Sequence, residues 1–213
     1  MRMLDIIPGI FEKDFDEVVR KIDLVAAHVT SVQIDVADNT LVEAQSFLDF
    51  AKLAGVIAKY PHISFEAHLM VTNPEKYIRP LVDAGFKRLI AHVESNDPRQ
   101  FIADAAYESV EVGIGIDGPT EIEQIEPFLE TIDLVLLMTA ELGGTLFLPE
   151  TVEKIRSIKE HYPDVPMAVE GGMDDRTVKI VSDAGATRIV STDYIFRDAT
   201  GAADAIRRLK RSS

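Results

Sequence analysis

No cysteine occurs among the 213 residues. Disulfides, thiolate metal sites and cysteine nucleophiles are therefore excluded, and the absence fits a reducing compartment. Long apolar runs are missing too, since none approaches the ~20 residues that span a bilayer. The first residues, MRMLDIIPGI, lack the apolar core and small-residue cleavage site of a secretory signal. A soluble, cytoplasmic protein is expected. Positive charge is scarce, with 22 Lys+Arg against 36 Asp+Glu and a formal net charge of −14. That balance argues against nucleic acid or an anionic membrane as the main partner. An anionic substrate would have to be held by local groups, against the overall field. Linkers, low-complexity tracts and repeats of roughly 20–50 residues are also absent.

What is present is a large apolar fraction, 46%, and an ordinary charged fraction, 27%. This suits one folded domain over residues 1–213. Strand-like runs alternate with amphipathic segments. The strand candidates are LDIIP, SVQIDV, ISFEAHL, KRLIAHV, VEVGIGI, DLVLLM, VPMAVE and TRIVST. Each precedes one helical pattern, and the fifth of these is PTEIEQIEPFLET. Strict β-then-α alternation implies parallel strands with crossover helices. Eight such units predict an α/β fold, a closed (β/α)8 TIM barrel. A doubly wound open sheet is the structural alternative, with fewer units as a rule. Asn73-Pro74-Glu75 reads as a capped helix start, and Gly85 and Gly185 read as helix stops.

In such a barrel alternate strand residues point inward, and chemistry gathers at the C-terminal strand ends. Gln33 and Asp35 share one face of SVQIDV, while Val32, Ile34 and Val36 share the other. Ser64, Glu66 and His68 alternate with Phe65, Ala67 and Leu69, and Glu170 ends MAVE. Gln33, Asp35, His68 and Glu170 are thus expected to converge in one mouth. Their oxygen and nitrogen donors suit one divalent cation, Zn²⁺, Mn²⁺, Fe²⁺ or Mg²⁺, with the amide the weakest ligand. The two carboxylates also suit acid/base work beside a carbonyl. The bland reading of each residue is a hydrogen-bonded structural group. His92 and Glu94 are assigned a supporting or structural role, and His28, His62 and His161 are assigned to the surface. Gly143-Gly144 and Gly171-Gly172 follow the sixth and seventh strands, where backbone N–H groups hold phosphate in many barrels. A Gly-Gly pair also simply marks a tight turn.

SVQIDVADN, FEAHLMVTNPEKYI, LIAHVES, LGGTLFLPETVEKIR and VEGGM, taken in order, resemble the signatures of the ribulose-phosphate 3-epimerase family. The resemblance runs along nearly the whole chain. It implies a barrel of the ribulose-phosphate-binding type, one divalent metal, a small sugar phosphate as partner, and a homo-oligomer. It also implies inversion at C3 of a ketopentose phosphate through an enediolate. Residue by residue, Asp35 matches a catalytic, metal-binding aspartate and His68 a metal ligand. Glu170 stands at the second catalytic aspartate, and Gln33 at the other histidine ligand. Met70 and Met138 match pocket methionines. Gly143, Gly144, Gly171 and Gly172 fall in the phosphate-binding loops.

Several positions depart from the pattern. Gln33 weakens the ligand set. Glu170 is longer by about one methylene, and a shift of about 1 Å costs on the order of 100-fold in rate. Gly9 stands where the family has a substrate-contacting serine. Thr192-Asp193 stands where a Gly-Ser pair receives phosphate, so Asp193 would repel a dianion. The loop TAELGG looks shorter than its counterpart and adds Glu141. Two alternatives follow: a catalytically impaired barrel that binds ligands or assembles, and a metal-free isomerase or lyase using Asp35 and Asp38. The related decarboxylase and synthase barrels carry a lysine after the second strand that DVADN lacks, which ranks the last reading lowest.

Overall fold

A parallel strand pair needs a crossover, and the alternating pattern supplies one after nearly every strand. In the computed structural model, which describes residues 4–212, the strands are β1 (Asp5–Ile10), β2 (Ser31–Ala37), β3 (Ser64–Met70) and β4 (Arg88–His92). They continue as β5 (Glu111–Ile116), β6 (Leu134–Met138), β7 (Met167–Glu170) and β8 (Arg188–Ser191). They form one closed barrel in sequence order, every pair parallel, with β8 returning to β1. The expected fold class is the observed one. The ends of the expected 1–213 domain, residues 1–3 and 213, lie outside the described residues.

The helices are α1 (Phe15–Val25), α2 (Phe50–Ile57), α3 (Glu75–Ala84), α4 (Pro98–Tyr107), α5 (Thr151–His161), α6 (Asp175–Asp183), α7 (Asp193–Phe196) and α8 (Ala202–Arg211). Gly85 (φ 101°) and Gly185 (φ 117°) end α3 and α6 in the left-handed region, as a helix stop requires. Three details differ from expectation. The segment after β5 is no α-helix but two 3₁₀ turns, Ile122–Gln124 and Glu126–Phe128. Pro127 explains this: it donates no N–H and its ring clashes with the preceding turn. Asn73 does not cap α3 with its side chain, because its amide oxygen accepts from Asn96 Nδ2 instead (2.8 Å). The added helix α7 forms because the Thr192 carbonyl accepts from both Ile195 and Phe196 N–H, with Ile195 fully buried.

Strand periodicity then sorts two cores. Val32, Ile34, Val36, Phe65, Ala67 and Leu69 belong to the large cluster beneath the helices. Ile7, Ile90, Leu134, Leu136, Ala168 and Val190 lie on the opposite strand faces and fill the barrel interior. The interior floor is ionic. Glu66, 1% exposed, accepts from Arg88 Nη1 (2.5 Å) and Arg188 Nη2 (2.9 Å). Arg188 also reaches Asp5 (2.8 Å), and Arg88 reaches Glu111. Asp5, Arg88, Glu111 and Arg188 are all first residues of their strands, so this network closes the N-terminal end and leaves the C-terminal mouth for chemistry. Among the described residues no helix is long and apolar enough to cross a membrane.

Candidate active site

The register of β2 on β3 pairs Gln33 with Glu66 and Asp35 with His68, so the mouth lies one layer above the floor. Asp35, His68 and Glu170 are buried, and one donor atom from each lies within 4.8 Å of the others. His68 Nδ1 sits 3.3 Å from Asp35 Oδ1 and 3.2 Å from Glu170 Oε2. Gln33 Nε2 lies between the acids, donating to Asp35 Oδ1 (2.7 Å) and Glu170 Oε2 (2.9 Å). The four residues expected to meet therefore do meet.

Two carboxylates in a buried mouth must be balanced by positive charge. Burial and then the charge of Glu170 push Asp35 up to about 6, against hydrogen bonds from His68 and Gln33. Burial also pushes Glu170 up, but the charge of His68 and hydrogen bonds from His68 and Gln33 outweigh it and leave this carboxyl below its usual range. For His68, burial favours the neutral ring. The charge of Glu170 and hydrogen bonds to both acids overcome this and carry the imidazole up to about 10. The imidazolium thus supplies the balancing charge.

The donor set fits a divalent cation. Carboxylate oxygens and an imidazole nitrogen converge on one point, and Gln33 Oε1 is buried without a hydrogen-bond partner. A half-turn of that amide exchanges its oxygen and nitrogen and would complete a three-oxygen, one-nitrogen set.

Behind His68 runs a chain of hydrogen bonds. His68 Nε2 meets His92 Nε2 at 2.7 Å, and His92 Nδ1 meets Glu94 Oε2 at 3.1 Å. Glu94 Oε1 accepts the Asp117 N–H (2.9 Å). With Nε2–H of His68 and Nδ1–H of His92 donating, Nδ1 of His68 is aimed at the acids, the orientation a ligating imidazole requires. Gly115 in β5 makes the chain fit, since a Cβ there would lie 2.9 Å from His92 Nε2. Burial alone would raise Glu94, but the His92 hydrogen bond and charge hold it down to about 2. His92 and Glu94 are therefore supporting groups, while His28, His62 and His161 are exposed.

A cavity of about 950 Å³ opens over the mouth. Asp35, Glu170, Met70 and Met138 line it, as do Gly143, Gly144, Gly171, Gly172, Thr192 and Asp193. Glu141 is exposed and absent from the lining. Gly171 (φ 114°) and Gly172 (φ 65°) need the freedom of glycine, and Cβ atoms there would strike Ala140 and Phe147 at 2.7 Å. The Thr139 hydroxyl, overlooked in the sequence, fastens this turn by donating to the carbonyls of Glu170 (2.9 Å) and Gly171 (2.7 Å). Asp193 faces Arg197, which also lines the cavity, at 3.2 Å. Its charge is therefore partly balanced.

The model of the Ribulose-phosphate 3 epimerase family matches residues 5–196. The chain belongs to the ribulose-phosphate 3-epimerase family. Membership makes it an isomerase relative. It is 30% identical over 199 residues to the cytoplasmic isoform of ribulose-phosphate 3-epimerase from Oryza sativa subsp. japonica, covering 90% of this chain and 86% of that one. Identity to the ribulose-phosphate 3-epimerase of Schizosaccharomyces pombe is 38% over 135 residues, which span 62% of this chain and 59% of the yeast protein. Among solved structures, 3-hexulose-6-phosphate synthase from Salmonella typhimurium superposes with a TM-score of 0.76 at 16% identity, covering 98% of both chains. The 3-keto-L-gulonate-6-phosphate decarboxylase of Vibrio cholerae gives 0.76 at 11% identity, covering 100% of this chain and 97% of that one. At such identities these two share the barrel architecture with the epimerase family member described here.

Proposed function

We propose that the protein is a metal-assisted epimerase that inverts C3 of a ketose phosphate, interconverting D-ribulose 5-phosphate and D-xylulose 5-phosphate or a close relative. One arrangement supports this above all: the carboxylates of β2 and β7 meet the same Gln33 amide and the same His68 nitrogen in a buried mouth. Inversion beside a carbonyl needs a base on one face of the carbon and an acid on the other. Asp35 and Glu170 take these roles. Their titrations are pushed apart, Asp35 up to about 6 and Glu170 down, so Asp35 takes up a proton first, as the pH falls through about 6, while Glu170 stays charged. Asp35, His68, Glu170 and the Gln33 oxygen would hold a divalent cation, which would supply electrophilic stabilisation of the negative charge that develops beside the carbonyl. His92 and Glu94 keep His68 aimed. Met70 and Met138 give the sugar an apolar wall, and the glycine turns at 143–144 and 171–172 offer backbone N–H groups to the phosphate. The Arg197 partner of Asp193 lowers the cost of an anion there.

The test is ¹H NMR of a ketose phosphate with metal-loaded protein in D₂O. Loss of the C3–H signal with growth of the epimer is expected. Saturable metal uptake without exchange at C3 of any ketose phosphate or free ketose would reject the epimerase and favour a ligand-binding barrel of the same ancestry.

A further inference from the structure

Asp38 follows Asp35 closely in the chain, yet it is not among the residues that line the cavity. Both of its carboxylate oxygens are engaged outside the mouth. Oδ1 accepts from the Thr40 N–H (3.2 Å) and from the Thr40 hydroxyl, and Oδ2 accepts from the Tyr77 hydroxyl on α3 (2.7 Å). Thr40 Oγ1 in turn accepts the Thr72 N–H (2.9 Å), so the chain leaving β2 is moored to the chain leaving β3. Asn39 turns through the left-handed region (φ 66°), which a short amide side chain tolerates. The far end of this excursion is pinched shut. The Ala37 N–H donates to Ser46 Oγ (3.0 Å), the Ser46 N–H donates to the Ala37 carbonyl (2.9 Å), and Asp38 forms an antiparallel bridge with Gln45. Residues 38–46 are therefore a strap closed at its base and moored at its start. Val42, midway along it, lines the cavity and packs beside Gly143, where a Cβ would lie 3.5 Å from Val42 Cγ1. The strap from β2 and the glycine turn from β6 thus meet over the mouth.

We propose that Asp38 is a positioning residue for the epimerase reaction: it fixes the strap so that Val42 props the Gly143–Gly144 turn in place over the substrate. This rests on the epimerase reading, and it gives Asp38 a mooring role in place of the acid/base role it would have in a metal-free enzyme. A side chain with two polar atoms on one short stem can hold Thr40 and Tyr77 together. Asparagine meets the same demand, because its amide oxygen accepts from Thr40 and its amide N–H donates to the Tyr77 oxygen. A residue that moves a proton has no such substitute.

Steady-state kinetics on D-ribulose 5-phosphate with metal-loaded protein tests the assignment. Asp38→Ala is expected to raise KM ~10-fold with kcat within ~3-fold of native, the signature of a misplaced binding turn. Asp38→Asn is expected to stay within ~3-fold of native in both constants. Thr40→Val removes the acceptor of the Thr72 N–H and is expected to raise KM ~5-fold, which Thr40→Ser brings back. Asp38→Asn with kcat lowered ~10³-fold makes Asp38 an acid or base and overturns the proposal, as does Asp38→Ala with native KM. Amide hydrogen exchange reads the strap without turnover. In Asp38→Ala, exchange at residues 39–45 and at Gly143 and Gly144 is expected to quicken ~10-fold, and in Asp38→Asn at neither. Faster exchange in the strap alone overturns the support of the glycine turn. Should Asp38→Ala fail to fold, the Val and Ser variants at Thr40 decide both readouts. A native protein that does not exchange C3–H rejects the epimerase reading, and amide exchange then decides the mooring by itself.

Discussion

The barrel interior holds two ionic clusters, and they are built from different chemistry. At the floor, a buried carboxylate is gripped by two guanidinium groups, each tied to a further acid at a strand start. Arginine stays charged throughout the accessible pH range, so the positive half of this cluster is permanent, and its planar forks fix the geometry. At the mouth, two carboxylates are held only by an imidazole and an amide. An imidazole can release its proton and an amide can turn, so that cluster can receive a cation or move a hydrogen. One fold thus uses Arg–carboxylate pairing where nothing should change and His–carboxylate pairing where something must.

The largest effect expected from breaking this contrast is on rate. Asp35→Asn should lower kcat by ~10³-fold or more, the loss of one acid/base partner. The melting temperature should hold or rise, because Asp35 is ionised against burial and the charge of Glu170. Glu66→Ala should do the reverse. Denaturant unfolding should report a loss of about 3 kcal/mol, the cost of removing the buried carboxylate that two guanidinium groups share, with little change in kcat of the folded fraction. Next comes the support of His68. His92→Ala should weaken divalent metal binding by ~10–100-fold in calorimetric titration, since it frees the ligand's ring to turn. Last is pH. Metal binding must displace the proton of His68, raised to about 10, and below about 6 that of Asp35 as well. Affinity should therefore rise ~10-fold per pH unit from about 6 to 10 and more steeply below 6. Circular dichroism of the floor-dependent fold should stay flat across the same range.

The mouth was legible in the sequence because its clues are local. Gln33 and Asp35 declare a shared face by a spacing of two, and Glu170 ends an apolar run before two glycines. The floor was not, because Glu66 meets Arg88 and Arg188 across separations of 22 and 122 residues, fixed only by register. The same holds for Gly9 and Thr192, which neighbour each other only after the barrel closes. Gly115 was readable as a strand residue, but its purpose appears only against the His92 ring. Pro127 was in plain view within the fifth helical pattern, and its backbone chemistry outweighed the apolar spacing around it. Asn73 carried a sound helix-start signal, which Asn96 diverted.

The two short turns after β5 leave the outer jacket thin at one place. Ile125, Phe128 and Leu129 seal that side with three side chains where a full helix would use a whole face. Amide hydrogens of β5 and β6 should accordingly be among the first barrel protons to trade with solvent, and a protease should find its earliest foothold near Thr131. For anyone wishing to splice a peptide or a reporter into this scaffold, that seam, away from the acidic mouth, is the natural port of entry.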